Sequence, residues 1–409
     1  MANIIIHSLI RTMCTRWVIL LFVAVARCQQ EQTTIDPRVI QSIWQTTSAP
    51  SVNDTNIPCI TEDNHPGQCV SYYLCVNNTI NKDGTSVIDI RLNDGRCPNY
   101  MDTCCLEGDT SEPQTTQEPT IIEPERVGCG WRNPNGVGFV AVGVTQSETQ
   151  FGEFPWMVAV LSLLPVNEDE PNGKMAEIYK GGGSLIHPSV VLTAAHVVAD
   201  VKTLHVKAGE WDTQNTKEPY PFQQRNVKSH IVHEDYMRGN LFYDVALLFL
   251  DQPMNMAPNV GVVCLPPAKT NTPPGTSCFA TGWGKEKFGR EGQYQVILKK
   301  VELPVMDDGT CVSRLRKTRL GNLFELHSSF MCAGGVAGQD TCTGDGGSPL
   351  VCPIENEAGR YMQTGIVAWG IGCAGHGIPG VYVDVAHVPS DISGFHLIKV
   401  VRDMAPIDE

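Results

Sequence analysis

The chain is poor in positive charge, with 30 Lys and Arg against 44 Asp and Glu in 409 residues and a formal net charge of -14. This acidic balance argues against extended contact with a nucleic-acid backbone or an anionic membrane. Only 18% of the residues are charged whereas 42% are hydrophobic, which excludes a chain that is disordered throughout. The eleven histidines occur at no spacing typical of a metal site. Binding must therefore depend on local features of a globular protein.

Long hydrophobic runs are also missing. The single candidate, Trp17 to Ala26, is too short to span a bilayer as a helix, and it follows Arg11 and Arg16. This pattern is typical of a secretory signal, and we interpret residues 1–28 as a cleaved signal peptide, with a retained anchor as the alternative. Cleavage after Cys28 removes three arginines and two of the 16 cysteines, which leaves a net charge of -17 and fourteen cysteines. An even number of cysteines in a secreted chain predicts disulfides.

Composition divides the mature chain into four parts. Residues 29–58 are rich in Thr, Ser and Gln without periodicity and are expected to be a flexible N-terminal segment. Residues 59–105 carry six cysteines in a stretch too short to bury much core, which predicts a disulfide-knit module. Residues 106–126, rich in Pro, Thr, Gln and Glu, are expected to be a linker. Residues 127–409 contain short β-type runs between Gly and Pro turns, which predict an all-β domain.

Two sequence patterns near the N-terminal side fit the surface of a secreted protein. Asn53 in NDT and Asn77 in NNT are N-glycosylation sequons. Both are therefore expected to carry glycans.

Several motifs of the C-terminal domain occur in a fixed order between residues 139 and 385. They are GGSLI at 182–186, VLTAAH at 191–196, DVALL at 244–248, TGWG at 281–284, GDGGSPL at 344–350 and GVYV at 380–383. In this order they resemble the chymotrypsin-like serine proteases. The resemblance implies two six-stranded β-barrels with the active site in the cleft between them.

The six-cysteine module ends in the adjacent pair Cys104 and Cys105. It is similar to the clip domain that precedes arthropod haemolymph proteases. The whole chain thus resembles the catalytically inactive clip-domain serine protease homologues of the phenoloxidase-activating factor 2 type. This resemblance implies a secreted haemolymph protein that acts as cofactor or scaffold in prophenoloxidase activation and melanisation.

Amide hydrolysis by this family needs a hydroxyl nucleophile, an imidazole base and a carboxylate that orients the imidazole. His196 matches the base and Asp244 the carboxylate, but Gly346 stands where the family has serine. The chain is therefore expected to be a pseudoenzyme. An active trypsin-like endopeptidase that uses Ser348 as a displaced nucleophile is the alternative, and a packed or turn-capping hydroxyl is the other role for Ser348.

The activation site of the family is missing as well. Active members are cut after a basic residue, and the new terminus pairs with the Asp that matches Asp345. That terminus is expected near Phe139 to Ala141, where no Lys or Arg precedes it, and Arg132 lies several residues too early. Loss of both nucleophile and activation site indicates a fold used for something other than hydrolysis.

The specificity pocket is better preserved. Asp340 matches the acidic base of a trypsin-like pocket lined by Gly370 and Gly380, and Gly344 and Gly346 retain the backbone N–H groups of an oxyanion hole. The pocket is expected to admit Arg or Lys, so that a docked loop binds without being cut. A water-filled relic is the alternative.

The resemblance also implies a disulfide map. The implied pairs are Cys59–Cys104, Cys69–Cys97, Cys75–Cys105, Cys129–Cys264, Cys278–Cys352, Cys311–Cys332 and Cys342–Cys373, although spacing alone leaves the clip connectivity open. The family's bond beside the histidine is absent, because its two positions hold Gly181 and Val197. Both partners have been lost together, as a secreted domain requires.

We expect no cofactor, although the acids near GEWDTQ at 209–214 leave a Ca²⁺ loop open. The expected partners are prophenoloxidase, an upstream clip-domain protease and a second copy of the chain, and a microbial-surface recognition protein is a further alternative. A regulatory cut is expected in an exposed loop between Lys82 and Arg91 rather than after Arg126. In the C-terminal tail, Pro389 and Gly394 argue against the terminal helix usual in the family.

Overall fold

The computed structural model describes residues 57–61, 64–71, 86–89, 97–98, 102–106, 127–142, 145–165, 175–215, 218–285, 294–336, 341, 344–372 and 377–389. The predicted signal peptide, nearly all of the N-terminal segment and of the linker, and the tail beyond residue 389 lie outside these ranges. Asn53 and Asn77 also lie outside them, so glycosylation of both stays a prediction.

The cysteine-rich module is a three-stranded antiparallel sheet. Its strands are β1 (Ile57–Ile60), β2 (Pro66–Ser71) and β4 (Asp102–Leu106), in the order β1-β2-β4. Cys69 lies opposite Cys104 in the sheet, and both side chains are buried together with Cys97. The module thus has a core made mainly of cysteine, as expected for a chain too short to bury aliphatic side chains.

Strand β3 (Ser86–Asp89) pairs in parallel with β5 (Phe139–Val142), which precedes the first barrel. This pairing corrects the expectation of an exposed loop between Lys82 and Arg91, because the middle of that stretch is a hydrogen-bonded strand. Local sequence patterns gave no sign of it, since the partner strand is about fifty residues further along the chain.

The first barrel is closed in the order β10-β11-β8-β7-β6-β9. Its strands are β6 (Met157–Pro165), β7 (Met175–His187), β8 (Val190–Thr193), β9 (Leu204–Ala208), β10 (Gln223–Val232) and β11 (Ala246–Leu250). All four residues of β8 and all five of β9 are buried, and Trp156 and Trp211 are among the largest fully buried side chains. Short helix α1 (Ala195–Val198) follows β8 directly and carries His196.

The second barrel is closed in the order β12-β13-β14-β17-β16-β15. Its strands are β12 (Ser277–Gly282), β13 (Lys299–Met306), β14 (Phe330–Gly334), β15 (Pro349–Pro353), β16 (Tyr361–Trp369) and β17 (Pro379–Asp384), with α2 (Asp308–Arg316) between β13 and β14. Its core packs the disulfide of Cys278 and Cys352 against Leu303, Leu350 and Tyr382. The prediction of an all-β, double-barrel fold behind a disulfide-rich module is confirmed.

The described chain closes with a short 3₁₀ helix, Val385–His387, whose N-terminus is capped by the carboxylate of Asp384. None of the helices in the described ranges is long and apolar enough to cross a membrane.

Candidate active-site cleft

The His196–Asp244 pair is fully assembled. The first residues of α1 present His196, whose Nδ1 lies 2.6 Å from Oδ2 of Asp244, and the backbone N–H of His196 donates to Oδ1 at 2.8 Å. The Asp244 side chain is completely buried whereas the His196 side chain is 30% exposed. The Nδ1 contact fixes the imidazole, the backbone bond fixes the carboxylate, and Nε2 faces position 346.

Position 346 faces that imidazole. A Cβ built on Gly346 would overlap Nε2 and Cε1 of His196, so the ring occupies the space that a serine side chain requires. The carbonyl of Gly346 accepts a hydrogen bond from the Gly182 N–H at 3.0 Å, which fixes the backbone on the other side. The cleft therefore has a base and an orienting carboxylate, but no hydroxyl at the position next to the base.

Ser348 is placed differently from a nucleophile. Its side chain is fully buried, its Oγ has no hydrogen-bond partner, and this oxygen lies against the Cα positions of Gly182 and Gly282. The glycine between it and the cleft, Gly347, has φ +83° and would place a Cβ against Thr193 and the Gly182 carbonyl. The local backbone thus presents position 346, and not Ser348, to His196.

The site of the missing histidine-loop disulfide is filled. A Cβ on Gly181 would meet both methyl groups of Val197 and the carbonyl oxygen of Gly346. Val197 is itself buried. The valine side chain therefore packs into the space between the two positions, so loss of both cysteines leaves no gap.

Asp345 is held by groups of the barrels. Its Oδ1 accepts a hydrogen bond from the Gly284 N–H at 2.9 Å, and a Cβ on Gly282 or Gly284 would overlap the carboxylate. Burial raises the pKa of the Tyr179 and Tyr294 phenols, and the negative charge of Asp345 adds to both shifts. Sequence reasoning missed these two tyrosines. The sequence held one sign of this proximity, because Tyr179 lies two residues before Gly181, a position already assigned to the surroundings of the histidine.

The stretch expected to supply a new N-terminus is a packed strand. Ala141 exchanges two hydrogen bonds with the Gln150 side chain at 2.7 and 2.9 Å, and Phe139 stacks on Phe151 at 5.6 Å between ring centroids. The side chain of the nearest upstream arginine, Arg132, is held by other residues. It bonds to Glu153 and lies 4.1 Å from the centre of the Phe279 ring.

Of the predicted pocket residues, the structure describes Gly370 and Gly380, and it also describes Gly344 of the predicted oxyanion hole. Gly380 lies in β17 opposite Ala333, Gly370 follows the end of β16, and Gly344 has φ +98° with the Tyr294 ring packed against it. Asp340 lies outside the described residues, so its place at the base of the pocket stays a prediction.

Five disulfides lie in the described part of the chain and have the pairing that the resemblance implies. They are Cys59–Cys104, Cys69–Cys97, Cys129–Cys264, Cys278–Cys352 and Cys311–Cys332. Cys105 is also disulfide-bonded, and its expected partner Cys75 lies outside the described ranges, as do Cys342 and Cys373. The sulfurs of Cys59, Cys69 and Cys97 lie close together, but as disulfides they offer no thiolate to a metal.

A group of buried carboxylates lies in the loop after β9. Glu210, Asp212 and Glu218 are at most 8% exposed, and each has one carboxylate oxygen without a hydrogen-bond partner. Burial raises the pKa of Glu210 to about 8, of Asp212 to about 6 and of Glu218 to about 9, and the charge of Glu210 adds to the shift at Glu218. A hard cation with oxygen ligands can neutralise buried carboxylates, although the carboxylate oxygens of these three residues do not all lie within 4.8 Å of one another. Glu218 was missed by sequence reasoning, because it lies beyond the GEWDTQ motif.

Comparison with known families agrees with this geometry. The family model described as Trypsin matches residues 144–390, and the model described as Serine protease Clip domain PPAF-2 matches residues 57–106.

Similar proteins are found among insects. Phenoloxidase-activating factor 2 of Galleria mellonella is 65% identical over 277 residues, which are 68% of this chain and 91% of the relative. Inactive CLIP domain-containing serine protease A8 of Anopheles gambiae is 38% identical over 325 residues, 78% of this chain and 86% of the relative. A third, Inactive CLIP domain-containing serine protease A28 of the same mosquito, is 37% identical over 338 residues, with 78% and 86% covered. The chain therefore belongs to the clip-domain serine protease homologues of the trypsin family.

Proposed function

We propose that this protein is a secreted, non-catalytic clip-domain homologue that acts as cofactor or scaffold in an extracellular immune protease cascade of the haemolymph. The observation that carries this proposal is the assembled His196–Asp244 pair facing a glycine at position 346. The names of the relatives add to it, since one is a phenoloxidase-activating factor and two are called inactive. Prophenoloxidase activation, and hence melanisation, is the process that these names favour.

Without a nucleophile, the remaining groups have little chemistry to perform. Loss of a triad member leaves roughly 10³ to 10⁴ over the uncatalysed rate, from binding and backbone donors alone. No acyl intermediate can form at Gly346. The buried Ser348 Oγ, turned toward Gly182 and Gly282, makes the alternative of an active endopeptidase the weaker one. The described residues include no feature specific to microbial-surface recognition.

The partners we propose are prophenoloxidase and an upstream clip-domain protease, with self-association of the chain as a further step. The cleft gives a physical reason for protein binding without turnover. A trypsin-like pocket with Asp340 at its base would attract an Arg or Lys side chain of a partner loop, and the missing hydroxyl at position 346 would leave that loop intact.

We infer that the upstream protease cuts within the clip module, beside β3 and not inside it. Residues 86–89 are hydrogen-bonded to β5, and a protease needs an extended, unpaired substrate strand. Lys82 and Arg91 flank β3 on its two sides and supply the basic residue that a trypsin-like enzyme requires. A cut at either place frees one end of β3, and this would weaken its pairing with β5.

We also propose a Ca²⁺ site formed by Glu210, Asp212 and Glu218. Three buried carboxylates with unpartnered oxygens destabilise a folded loop unless they are protonated or neutralised by a cation. Ca²⁺ accepts carboxylate and backbone oxygens in flexible geometry, which fits these residues better than a metal that prefers nitrogen or sulfur. The ion would stabilise the loop and take no part in chemistry at the cleft.

Reconstitution tests the main proposal. Purified full-length protein is combined with prophenoloxidase and an active clip-domain protease, and phenoloxidase activity is measured with and without the homologue. We expect strong activity only in the complete mixture, and no labelling of the homologue by a fluorophosphonate serine probe. Labelling at Ser348 would replace the proposal by an active protease. Full activity in the absence of the homologue would remove its role as cofactor.

A further inference from the structure

A dense basic cluster lies at the end of α2 in an otherwise acidic protein. Arg314, Arg316, Lys317 and Arg319 fall within the octapeptide SRLRKTRL at 313–320, which contains no acidic residue. The whole chain has only 30 Lys and Arg in 409 residues. Four of them in six positions therefore form a local field opposite in sign to that of the molecule.

The helix that carries the cluster is anchored to the second barrel. Cys311 and Leu315 of α2 are fully buried, and Cys311 is bonded to Cys332 of β14. The helix ends in a capped turn, in which the Thr318 hydroxyl donates to the Leu315 carbonyl at 2.6 Å. Residues three apart on a helical turn are neighbours, so Arg314 lies beside Lys317 at the end of α2.

Among the residues that the structure describes, the four basic groups have no acidic partners. In the part of the chain that the structure describes, no ion pair involves any of the four. Arg316 uses Nε to bond the Phe324 carbonyl at 2.8 Å, and Arg314 reaches the Gly377 carbonyl at 3.4 Å, so both guanidinium groups are oriented by backbone oxygens. Lys317 and Arg319 are exposed. Basic residues at a helix C-terminus stabilise the helix through their interaction with the helix dipole. This effect is confined to the last turn and does not account for Arg319, which lies beyond the helix.

From this arrangement we infer that the cluster, Arg314, Arg316, Lys317 and Arg319, binds a sulfated polysaccharide. Arginine guanidinium groups match tetrahedral oxyanions with paired N–H donors, and several fixed cations in a row fit a linear polyanion. The net charge of -14 disfavours binding to a wide anionic surface or to a long nucleic-acid duplex, because these would also approach the acidic parts of the protein. A flexible glycan chain can contact the cluster alone. The protein would thereby be concentrated on extracellular matrix or a glycan-coated surface.

The test uses full-length protein and a defined heparin oligosaccharide at low ionic strength, with affinity measured by titration calorimetry. Reversing two charges in Lys317→Glu/Arg319→Glu should weaken binding by about 20-fold or more, because each basic group at an anionic surface contributes about fivefold. Affinity of the unaltered protein should fall steeply with added salt. Melting curves check that each variant is folded.

The matched control is Lys202→Glu/Lys228→Glu, which changes net charge equally at two exposed lysines elsewhere. It should bind within about twofold of the unaltered protein. Equal loss in both variants would overturn the inference and leave only a net-charge effect. Absence of heparin binding by the unaltered protein, equal binding of desulfated heparin, or equal binding of single-stranded DNA of matched length would each overturn it as well.

Discussion

Gly346 differs from serine by one hydroxymethyl group, yet its surroundings have adapted to the smaller residue. The imidazole of His196 lies where a Cβ would be placed, and the contact of its Nδ1 with Oδ2 of Asp244 holds the ring there, while the backbone N–H of His196 donates to Oδ1. Asp345 accepts a hydrogen bond from the Gly284 N–H and lies near the buried Tyr179 and the half-buried Tyr294. Adding the serine hydroxymethyl group at position 346 therefore neither moves His196 to the place of a catalytic base nor supplies the N-terminal ammonium that would pair with Asp345.

The variant Gly346→Ser should hydrolyse Arg-containing peptides at no more than roughly 10⁴ over the uncatalysed rate. The new side chain has to displace His196, and no cut can supply the N-terminal ammonium that normally pairs with Asp345. Initial rates with a chromogenic arginine peptide measure this directly.

Gly346→Ser combined with His196→Ala gives the background for that measurement. Equal rates of the single and double variants support the argument. Turnover by the single variant at the level of an ordinary trypsin would mean that the activation defect has been misjudged.

The carboxylate group in the loop after β9 should make stability depend on calcium. The pKa values of about 8, about 6 and about 9 for Glu210, Asp212 and Glu218 lie above their ordinary values of 4.5, 3.8 and 4.5. At these three groups the folded protein thus binds more protons than the unfolded chain. In the absence of metal, their contribution to the free energy of unfolding is fully present below about pH 4 and is lost as the pH rises toward about 9. Ionised carboxylates bind Ca²⁺, so the ion should offset this loss.

In chelator, the melting temperature should fall between about pH 5 and about pH 8.5, and millimolar Ca²⁺ should raise it at the higher pH by roughly 5 °C. Glu210→Gln/Glu218→Gln should flatten the pH dependence and abolish the calcium shift. The same substitutions at exposed Glu234 and Glu302 serve as control. Identical melting curves with chelator and with Ca²⁺ would contradict a calcium site.

At the scale of elements, several barrel strands could be predicted because they are short apolar runs bounded by turns, whereas the long β10 is mostly polar and lacks that pattern. The short β-type run VVLT at 190–193 forms β8, and the run QTGIVA at 363–368 lies inside β16. The β3–β5 pair could not be predicted, because each strand has only four residues and the pairing is non-local. The tyrosines beside Asp345 were missed for a related reason, since only the closed barrels bring them together.

Pairing with β5 should protect the β3 segment from proteolysis. In a two-stranded pair, N–H groups of successive residues point alternately toward the partner and away from it. Of Val87→Pro and Ile88→Pro, one should therefore remove a hydrogen bond to β5 and raise the rate of trypsin cleavage at Lys82 and Arg91 by about fivefold or more. The other should leave the rate nearly unchanged. N-terminal sequencing of timed digests identifies the cuts.

The two prolines serve as each other's control, because both introduce the same residue one position apart. Equal rates of cleavage at Lys82 and Arg91 in both variants would show that β3 does not restrict access to this segment.

For the whole molecule, the disulfides determine what a cut can release. Two bonds of the clip module, Cys59–Cys104 and Cys69–Cys97, span the stretch from Lys82 to Arg91. The bond from Cys129 to Cys264 lies entirely on the C-terminal side of Arg126. Family resemblance implied these pairs, whereas spacing alone left the six clip cysteines with several connectivities. The two cutting sites can therefore be told apart by the mass of the unreduced product. A cut between Lys82 and Arg91 leaves one covalent species, whereas a cut after Arg126 gives two fragments.

Activation by the upstream protease should leave the protein as one covalent species on a non-reducing gel and give two fragments after reduction. A cut beside β3 opens the backbone, but Cys59–Cys104 and Cys69–Cys97 still join the two parts. Lys82→Gln/Arg91→Gln should block the cut, and Arg126→Gln, which changes a basic residue in the linker, should not affect it. Fragments that separate without reductant, with a new terminus at Val127, would instead make release of the clip module the switch.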